Sequence, residues 1–197
     1  PAPLKCVDAV EAATKRKFDD GMAYERELFI NLMWSPEGRA LRHIFIAERA
    51  ASKIPDVPAD TPKRDIQSIA VIGAGTMGGG ISMNFLSKGI AVTIVEMVQE
   101  NLDRGVGVIR KNYENSAAKG RFSQEQVEGM MALLTPSLTL NDLADCDLVI
   151  EAVYESMDVK KEVFGKLDTI CKPGAILASN TSYLNIDEIA ASTSRPQ

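Results

Sequence analysis

Ser68-Ile69-Ala70-Val71-Ile72-Gly73-Ala74-Gly75-Thr76-Met77-Gly78 runs from a β-branched stretch straight into a Gly-x-Gly-x-x-Gly turn. Each glycine meets a separate steric demand. Gly73 permits a tight exit from a strand, Gly75 lets the backbone close on a ligand's phosphates, and Gly78 lets the next helix lie against the sheet. The pattern predicts a dinucleotide pyrophosphate at that helix's N-terminus, where free N–H groups and the positive dipole end favour an anion.

The flanking sequence supports this reading. A helix is expected from Thr76 to Lys88, with Ile81, Phe85 and Leu86 on one side and Gly89 as its stop. A second strand follows, Ala91-Val92-Thr93-Ile94-Val95, and it ends at Glu96. An acid about twenty residues past the glycines is where this kind of fold holds an adenosine ribose. A carboxylate there accepts two ribose hydroxyls and repels a 2′-phosphate, so it selects NAD over NADP. No arginine sits immediately beside Glu96 in the sequence to reverse that preference. The competing reading is a structural βαβ turn with a solvated Glu96.

Outside the turn, composition narrows the classes. At 197 residues the chain has room for one sizeable domain and a smaller appendage. A formal charge of −5 leaves no electrostatic footprint for nucleic acid or an anionic membrane. Lys88 and Gly89 interrupt the longest apolar candidate for a membrane span. Cys6, Cys146 and Cys171 are widely scattered and no secretory signal is visible, which suits a reducing compartment and gives neither a disulfide framework nor a metal site. The chain opens at Pro1-Ala2-Pro3 and closes at Ser194-Arg195-Pro196-Gln197, and it is expected to be an internal piece of a longer polypeptide.

Residues 1–52 read as helical. Leu4, Val7 and Val10 mark one apolar face, Leu28, Phe29, Leu32 and Met33 a second, and Leu41, Ile44 and Phe45 a third. Ser35-Pro36-Glu37 is a helix start: a capping hydroxyl, proline at the first helical position and an acid in the first turn. So much apolar surface on so small a region is expected to pack on something else. Residues 53–65 carry three prolines, three aspartates and no helical period, and read as a linker.

Residues 66–197 alternate strands with helices, which predicts an α/β fold with a doubly wound parallel sheet. Helices are expected over Gln99–Lys119, Ser123–Leu134 and Val159–Ile170, and a short one over Ile186–Ala190. Ser123 and Gln126 have capping-box spacing. Strands are expected near Leu138–Leu140, at Asp147–Glu151 and at Ala175–Ser179. In such a sheet ligands bind beyond the carboxyl ends of the strands. The residues that follow them are Gly73–Gly78, Glu96, Glu151-Ala152-Val153-Tyr154-Glu155 and Asn180-Thr181-Ser182.

Three motifs in this order, Val71–Gly78, Val149–Glu155 and Leu177–Ser182, resemble the NAD-binding domain of L-3-hydroxyacyl-CoA dehydrogenases. The resemblance covers Ile66–Gln197 and implies a Rossmann-like fold and NAD as cofactor. The helical stretch before it, with Ala2-Pro3-Leu4-Lys5-Cys6 and Glu37-Gly38-Arg39-Ala40-Leu41, resembles the end of the enoyl-CoA hydratase region and the linker helix of multifunctional fatty-acid oxidation enzymes.

The resemblance implies roles for particular residues. Gly73, Gly75, Met77 and Gly78 face the cofactor and Glu96 binds its adenosine ribose. Val153, Tyr154, Glu155 and Lys160 line the cofactor cleft, with Lys160 five residues after Glu155 as in the family. Ser182 hydrogen-bonds the substrate's 3-hydroxyl near the nicotinamide, and Asn180 shapes that loop. Read without the family, Lys160 is equally a solvated helix charge, and Asn180 and Ser182 are turn and cap residues.

The implied reaction is reversible hydride transfer from C3 of an (S)-3-hydroxyacyl-CoA to NAD, which needs a base for the hydroxyl proton. In the family that base is a histidine in a His-Phe-Phe-x-Pro segment beyond the Ser-Asn-Thr-Ser strand. The only histidine here is His43, among the N-terminal helices, so the chain is expected to bind NAD without turnover. An acyl-CoA substrate, a thiolase subunit and a homo-oligomer are the partners implied for the parent enzyme. A bacterial cytoplasm is the first location expected, with a peroxisome or mitochondrion as the alternative. Two other functions compete: another NAD-dependent β-hydroxyacid or polyol dehydrogenase, and a non-catalytic dinucleotide-sensing module.

Overall fold

A computed structural model describes residues 2–58 and 60–196, and the chain divides into two compact units, Pro1–Lys63 and Arg64–Gln197. The first is helical: α1 (Ala2–Lys15), α2 (Phe18–Trp34) and α3 (Pro36–Ala51). Ser35 makes the break between α2 and α3. Its hydroxyl accepts from the Gly38 N–H at 3.1 Å while Pro36 takes the first helical position, where a missing N–H costs nothing. Among the described residues of these helices only Ala12 is buried, and Leu4, Val7, Val10, Phe29, Leu41 and Phe45 are all exposed.

The second unit is built on five strands: β1 (Ser68–Ile72), β2 (Ala91–Val95), β3 (Leu134–Ser137), β4 (Leu148–Glu151) and β5 (Ile176–Ser179). All four pairings are parallel and the order is β3-β2-β1-β4-β5. Five helices connect and cover them: α4 (Thr76–Leu86), α5 (Gln99–Ala118), α6 (Gln124–Ala132), α7 (Met157–Ile170) and α8 (Ile186–Ala190). The period of two along β1 divides the core. Ile69 and Val71 pack with Leu86, Ile109 and Tyr113 on one face, and Ala70 and Ile72 pack with Leu143, Leu167 and Cys171 on the other. This is the doubly wound α/β sheet expected from the alternation of elements.

Boundaries shift by one or two residues at several elements, as where α6 ends at Ala132 and not Leu134 and α7 begins at Met157 and not Val159, and two differences are instructive. α4 ends at Leu86, two residues before Lys88, with Gly89 at φ +76° turning the chain toward β2. The strand expected near Leu138–Leu140 lies instead at Leu134–Ser137, and residues Leu140–Leu143 form a 3-10 turn. Thr139 caps that turn, its hydroxyl accepting from the Asn141 N–H at 3.2 Å, and the Ser137 hydroxyl braces it by donating to Asp142 at 2.6 Å and accepting from the Thr139 N–H at 3.0 Å. The proline inside β3 explains why the pattern was obscure. Leu133 and Ser137 carbonyls accept from Val92 and Glu96 N–H groups, so the odd-numbered residues face β2. Pro136 therefore turns its nitrogen to the outer edge, where no ladder bond is lost. The capping box at Ser123 is complete, with the Gln126 side chain accepting from the Ser123 N–H at 2.8 Å.

Candidate functional site

The site lies at the carboxyl ends of β1, β2, β4 and β5. The Gly73 N–H donates to Val95 at 2.8 Å and the Ala152 N–H to Ile72 at 2.8 Å, so both neighbours of β1 brace the turn. Gly73 has φ +101°, and a Cβ there would stand 2.6 Å from the Ala152 carbonyl oxygen. A Cβ on Gly78 would come within 1.8 Å of the Gly73 carbonyl oxygen, so only glycine lets α4 cross the turn this closely. A Cβ on Gly75 would meet nothing within 4 Å, and the backbone there is open to a ligand. Gly75 caps α4 with no side-chain hydrogen bond, which leaves the first N–H groups of the helix for an anion. Met77 projects from this first turn and is exposed.

Glu96 leans over the same turn. One carboxylate oxygen accepts from the Ala74 N–H at 3.2 Å and the other from its own neighbour Met97 at 2.8 Å. These bonds fix the carboxylate yet leave acceptor capacity facing out, since a carboxylate can accept about four hydrogen bonds. It borders a cavity of about 420 Å³ whose walls include Ala74, Gly75, Asn101, Arg104 and Gly105. The cradle, the uncapped helix end and the acceptor-only acid together fit a dinucleotide.

Arg104 and Gly105 are residues that the linear sequence did not bring to the site. Arg104 is not next to Glu96 in sequence, but α5 carries it back to the same cavity, where its guanidinium donates to Asn101 at 2.6 Å. Gly105 is the reason α5 can lie so near. A Cβ there would stand 2.4 Å from the Ala74 carbonyl oxygen. A glycine in mid-helix costs about 1 kcal/mol relative to alanine, and that cost was the available signal of close packing.

The second half of the site is an ionic cluster. Glu151, the last residue of β4, and Lys160 on α7 are both 0% exposed. Lys160 Nζ donates to the two Glu151 oxygens at 2.8 and 2.9 Å and reaches Glu155 Oε2 at 3.2 Å. Glu151 also accepts from the Val153 N–H at 2.7 Å and the Ser179 hydroxyl at 2.6 Å. Glu155 Oε1 accepts from the Thr181 hydroxyl and from the Ser182 N–H at 3.2 Å. The Thr181 hydroxyl, reinforced by Lys160 and the Ser182 N–H, holds the Glu155 carboxyl below the usual glutamate range.

Lys160 is thus no solvated helix charge; it sits behind the cleft wall and meets the loops through two carboxylates. Asn180 joins β5 to β4 by donating its N–H to the Glu151 carbonyl at 2.8 Å. Ser182 and Tyr154 are exposed at the tips of their loops and Val153 is half-buried. Sequence reading placed Glu151 in a motif without giving it a role. Its signal was an acid closing the otherwise apolar run Leu148-Val149-Ile150. No cluster of three His, Cys, Asp or Glu side chains that could hold a metal, and no helix long and apolar enough to cross a membrane, occurs among the described residues.

Comparison with known proteins agrees with this geometry. Residues 68–197 match the family described as 3-hydroxyacyl-CoA dehydrogenase, NAD binding domain. The peroxisomal bifunctional enzyme of Cavia porcellus is 41% identical over 100% of this chain and 27% of its own length. The human peroxisomal bifunctional enzyme is 40% identical over 97% of this chain. The chain thus spans 27% of the length of these curated relatives. Among solved structures, M. tuberculosis FadB2 superposes with a TM-score of 0.67 at 39% identity, covering 68% of this chain and 47% of that one. The dehydrogenase part of C. elegans multifunctional enzyme 1 gives 0.64 at 32% identity, over 73% of this chain and 34% of that one. This chain belongs to the family of NAD-binding domains of 3-hydroxyacyl-CoA dehydrogenases.

Proposed function

We propose that the chain is the cofactor-holding part of an enzyme that moves hydride between C3 of an (S)-3-hydroxyacyl-CoA and NAD in fatty-acid β-oxidation. The observation that carries this reading is the Glu96 carboxylate, fixed by two N–H groups on the lip of the glycine turn with acceptor capacity to spare. Bound NAD supplies the hydride acceptor. The protein's part is to hold it: Gly73, Gly75, Met77 and Gly78 around the pyrophosphate, Glu96 on the adenosine ribose, and Val153, Tyr154 and Glu155 along the second half of the cleft with Lys160 behind them. Ser182 meets the substrate's 3-hydroxyl from the loop that Asn180 helps shape. The single histidine, His43, lies in α3 of the helical unit and follows none of the strands that build the site. We read α1 to α3 as the end of an enoyl-CoA hydratase region. The naming of the relatives favours a peroxisome over a bacterial cytoplasm as the location.

Calorimetry on the 197-residue chain tests the reading. NAD is expected to bind at least about tenfold more tightly than NADP, the discrimination that a charge-assisted contact of about 1.5–3 kcal/mol provides. Equal affinities overturn the role of Glu96. No NADH is expected from the chain with a 3-hydroxyacyl-CoA, and robust turnover would show that another group serves as base.

A further inference from the structure

We infer that Glu151 is a positioning residue for the nicotinamide side of the site, acting through Lys160 and Glu155 on Ser182 without touching cofactor or substrate. The inference rests on the cofactor reading above. Four donors converge on the two Glu151 oxygens: the Val153 N–H, the Ser179 hydroxyl and two from Lys160. That fills the roughly four acceptor positions of a carboxylate. With its side chain wholly buried, Glu151 has nothing left to offer a ligand.

The bonds continue outward in one direction. An ammonium has three protons, two of which Lys160 gives to Glu151, and its remaining close contact is Glu155 Oε2 at 3.2 Å. The other Glu155 oxygen holds the Thr181 hydroxyl and the Ser182 N–H, and the Leu184 N–H closes the loop onto Thr181 Oγ1 at 3.1 Å. Glu151 therefore fixes Lys160, Lys160 fixes one Glu155 oxygen, and the other oxygen fixes the Ser182 backbone. Joining β4 to β5 does not need this charge, because the Asn180 N–H already bonds the Glu151 carbonyl. A buried ion pair also contributes little net stability over an apolar pair of similar size. What the charges do provide is a defined geometry for two loops. In a doubly wound dinucleotide fold the β1–β2 half takes the adenosine and the β4–β5 half the nicotinamide. Glu151 thus governs only the second half of the cofactor.

The test uses the 197-residue chain and two ligands, NAD and ADP-ribose, the latter lacking only the nicotinamide. In E151D the charge is kept but the reach is shortened by one methylene. NAD affinity is expected to fall about tenfold and ADP-ribose affinity to stay within about twofold, as befits loss of one charge-assisted tie remote from the adenosine half. The Ser182 amide resonance is expected to move in E151D without ligand. E151Q, nearly isosteric, removes the charge and turns one acceptor oxygen into a donor, so it should show the same pattern at about tenfold or more, and it carries the test if E151D does not fold. Proportionate loss of both ligands, or an unmoved Ser182 amide with unchanged NAD affinity, assigns Glu151 a merely structural role and overturns the inference. A wild-type chain that binds neither ligand overturns the cofactor reading itself, and with it the purpose given to Glu151.

Discussion

Glu96 and Glu151 occupy equivalent places, each at the carboxyl end of a parallel strand beside β1, yet the protein uses them in opposite ways. Glu96 stands just past β2, half-buried, held by two backbone N–H groups and facing a cavity. Glu151 closes β4, wholly buried, with every acceptor position taken by the protein. An acid at a strand end is a ligand group only when some of its acceptor capacity remains uncommitted. Otherwise it belongs to the frame.

The comparison can be broken most forcefully at Glu151. Replacing it with leucine leaves Lys160 buried with only Glu155 nearby, and is expected to cost about 3–5 kcal/mol in urea unfolding. Glu96→Leu removes two backbone hydrogen bonds at a half-buried, cavity-facing position where water can replace them, and should cost about 1–2 kcal/mol, less than Glu151→Leu. Equal losses would erase the distinction between frame and ligand group. Binding should show the reverse preference at Glu96: Glu96→Ala is expected to weaken ADP-ribose by about 1.5–3 kcal/mol, the worth of a charge-assisted contact, with a smaller loss in unfolding than Glu151→Leu gives. Unchanged affinity by calorimetry would remove Glu96 from the site.

Two smaller effects sharpen the contrast. Arg104→Gln takes a cation from the wall of the Glu96 cavity and should weaken ADP-ribose by only about 0.5–1 kcal/mol, as for other exposed charges. A larger loss would make the arginine an equal partner of the acid. At Glu155 the test is pH. Its folded pKa lies below the unfolded value, so its tie to Ser182 contributes fully above the ordinary glutamate value of about 4.3 and is lost as pH falls through the lowered one. The Ser182 amide shift should stay flat down to that ordinary value and move only below it. A midpoint at or above it contradicts the Thr181 and Lys160 contacts.

Much of this was legible in the sequence where one segment carries its own signal. β1, β2 and β4 are apolar runs long enough to declare a buried parallel sheet, and the glycine turn with Glu96 is defined by spacing alone. β3 was displaced because Leu134-Thr135-Pro136-Ser137 has no alternation and carries a proline, acceptable only because its nitrogen faces the outer edge. Arg104 and Gly105 were invisible at the site because helix register, not sequence proximity, returns them to the turn. Lys160 was equally obscure. A lysine on an amphipathic helix is nearly always solvated, and it takes Glu151, nine residues earlier across a strand–helix junction, together with Glu155, to make its burial tolerable.

The orientation of Pro136 also gives the sheet a direction of growth. A newcomer strand pairing along β3 would find no N–H at the middle of that edge. At the opposite margin β5 carries no such block: Ile176-Leu177-Ala178-Ser179 has no proline and is half-exposed throughout. Among the described strands, edge pairing is therefore less hindered along β5 than along β3. A proline placed in β5 with its nitrogen turned away from β4 would give that strand the same block.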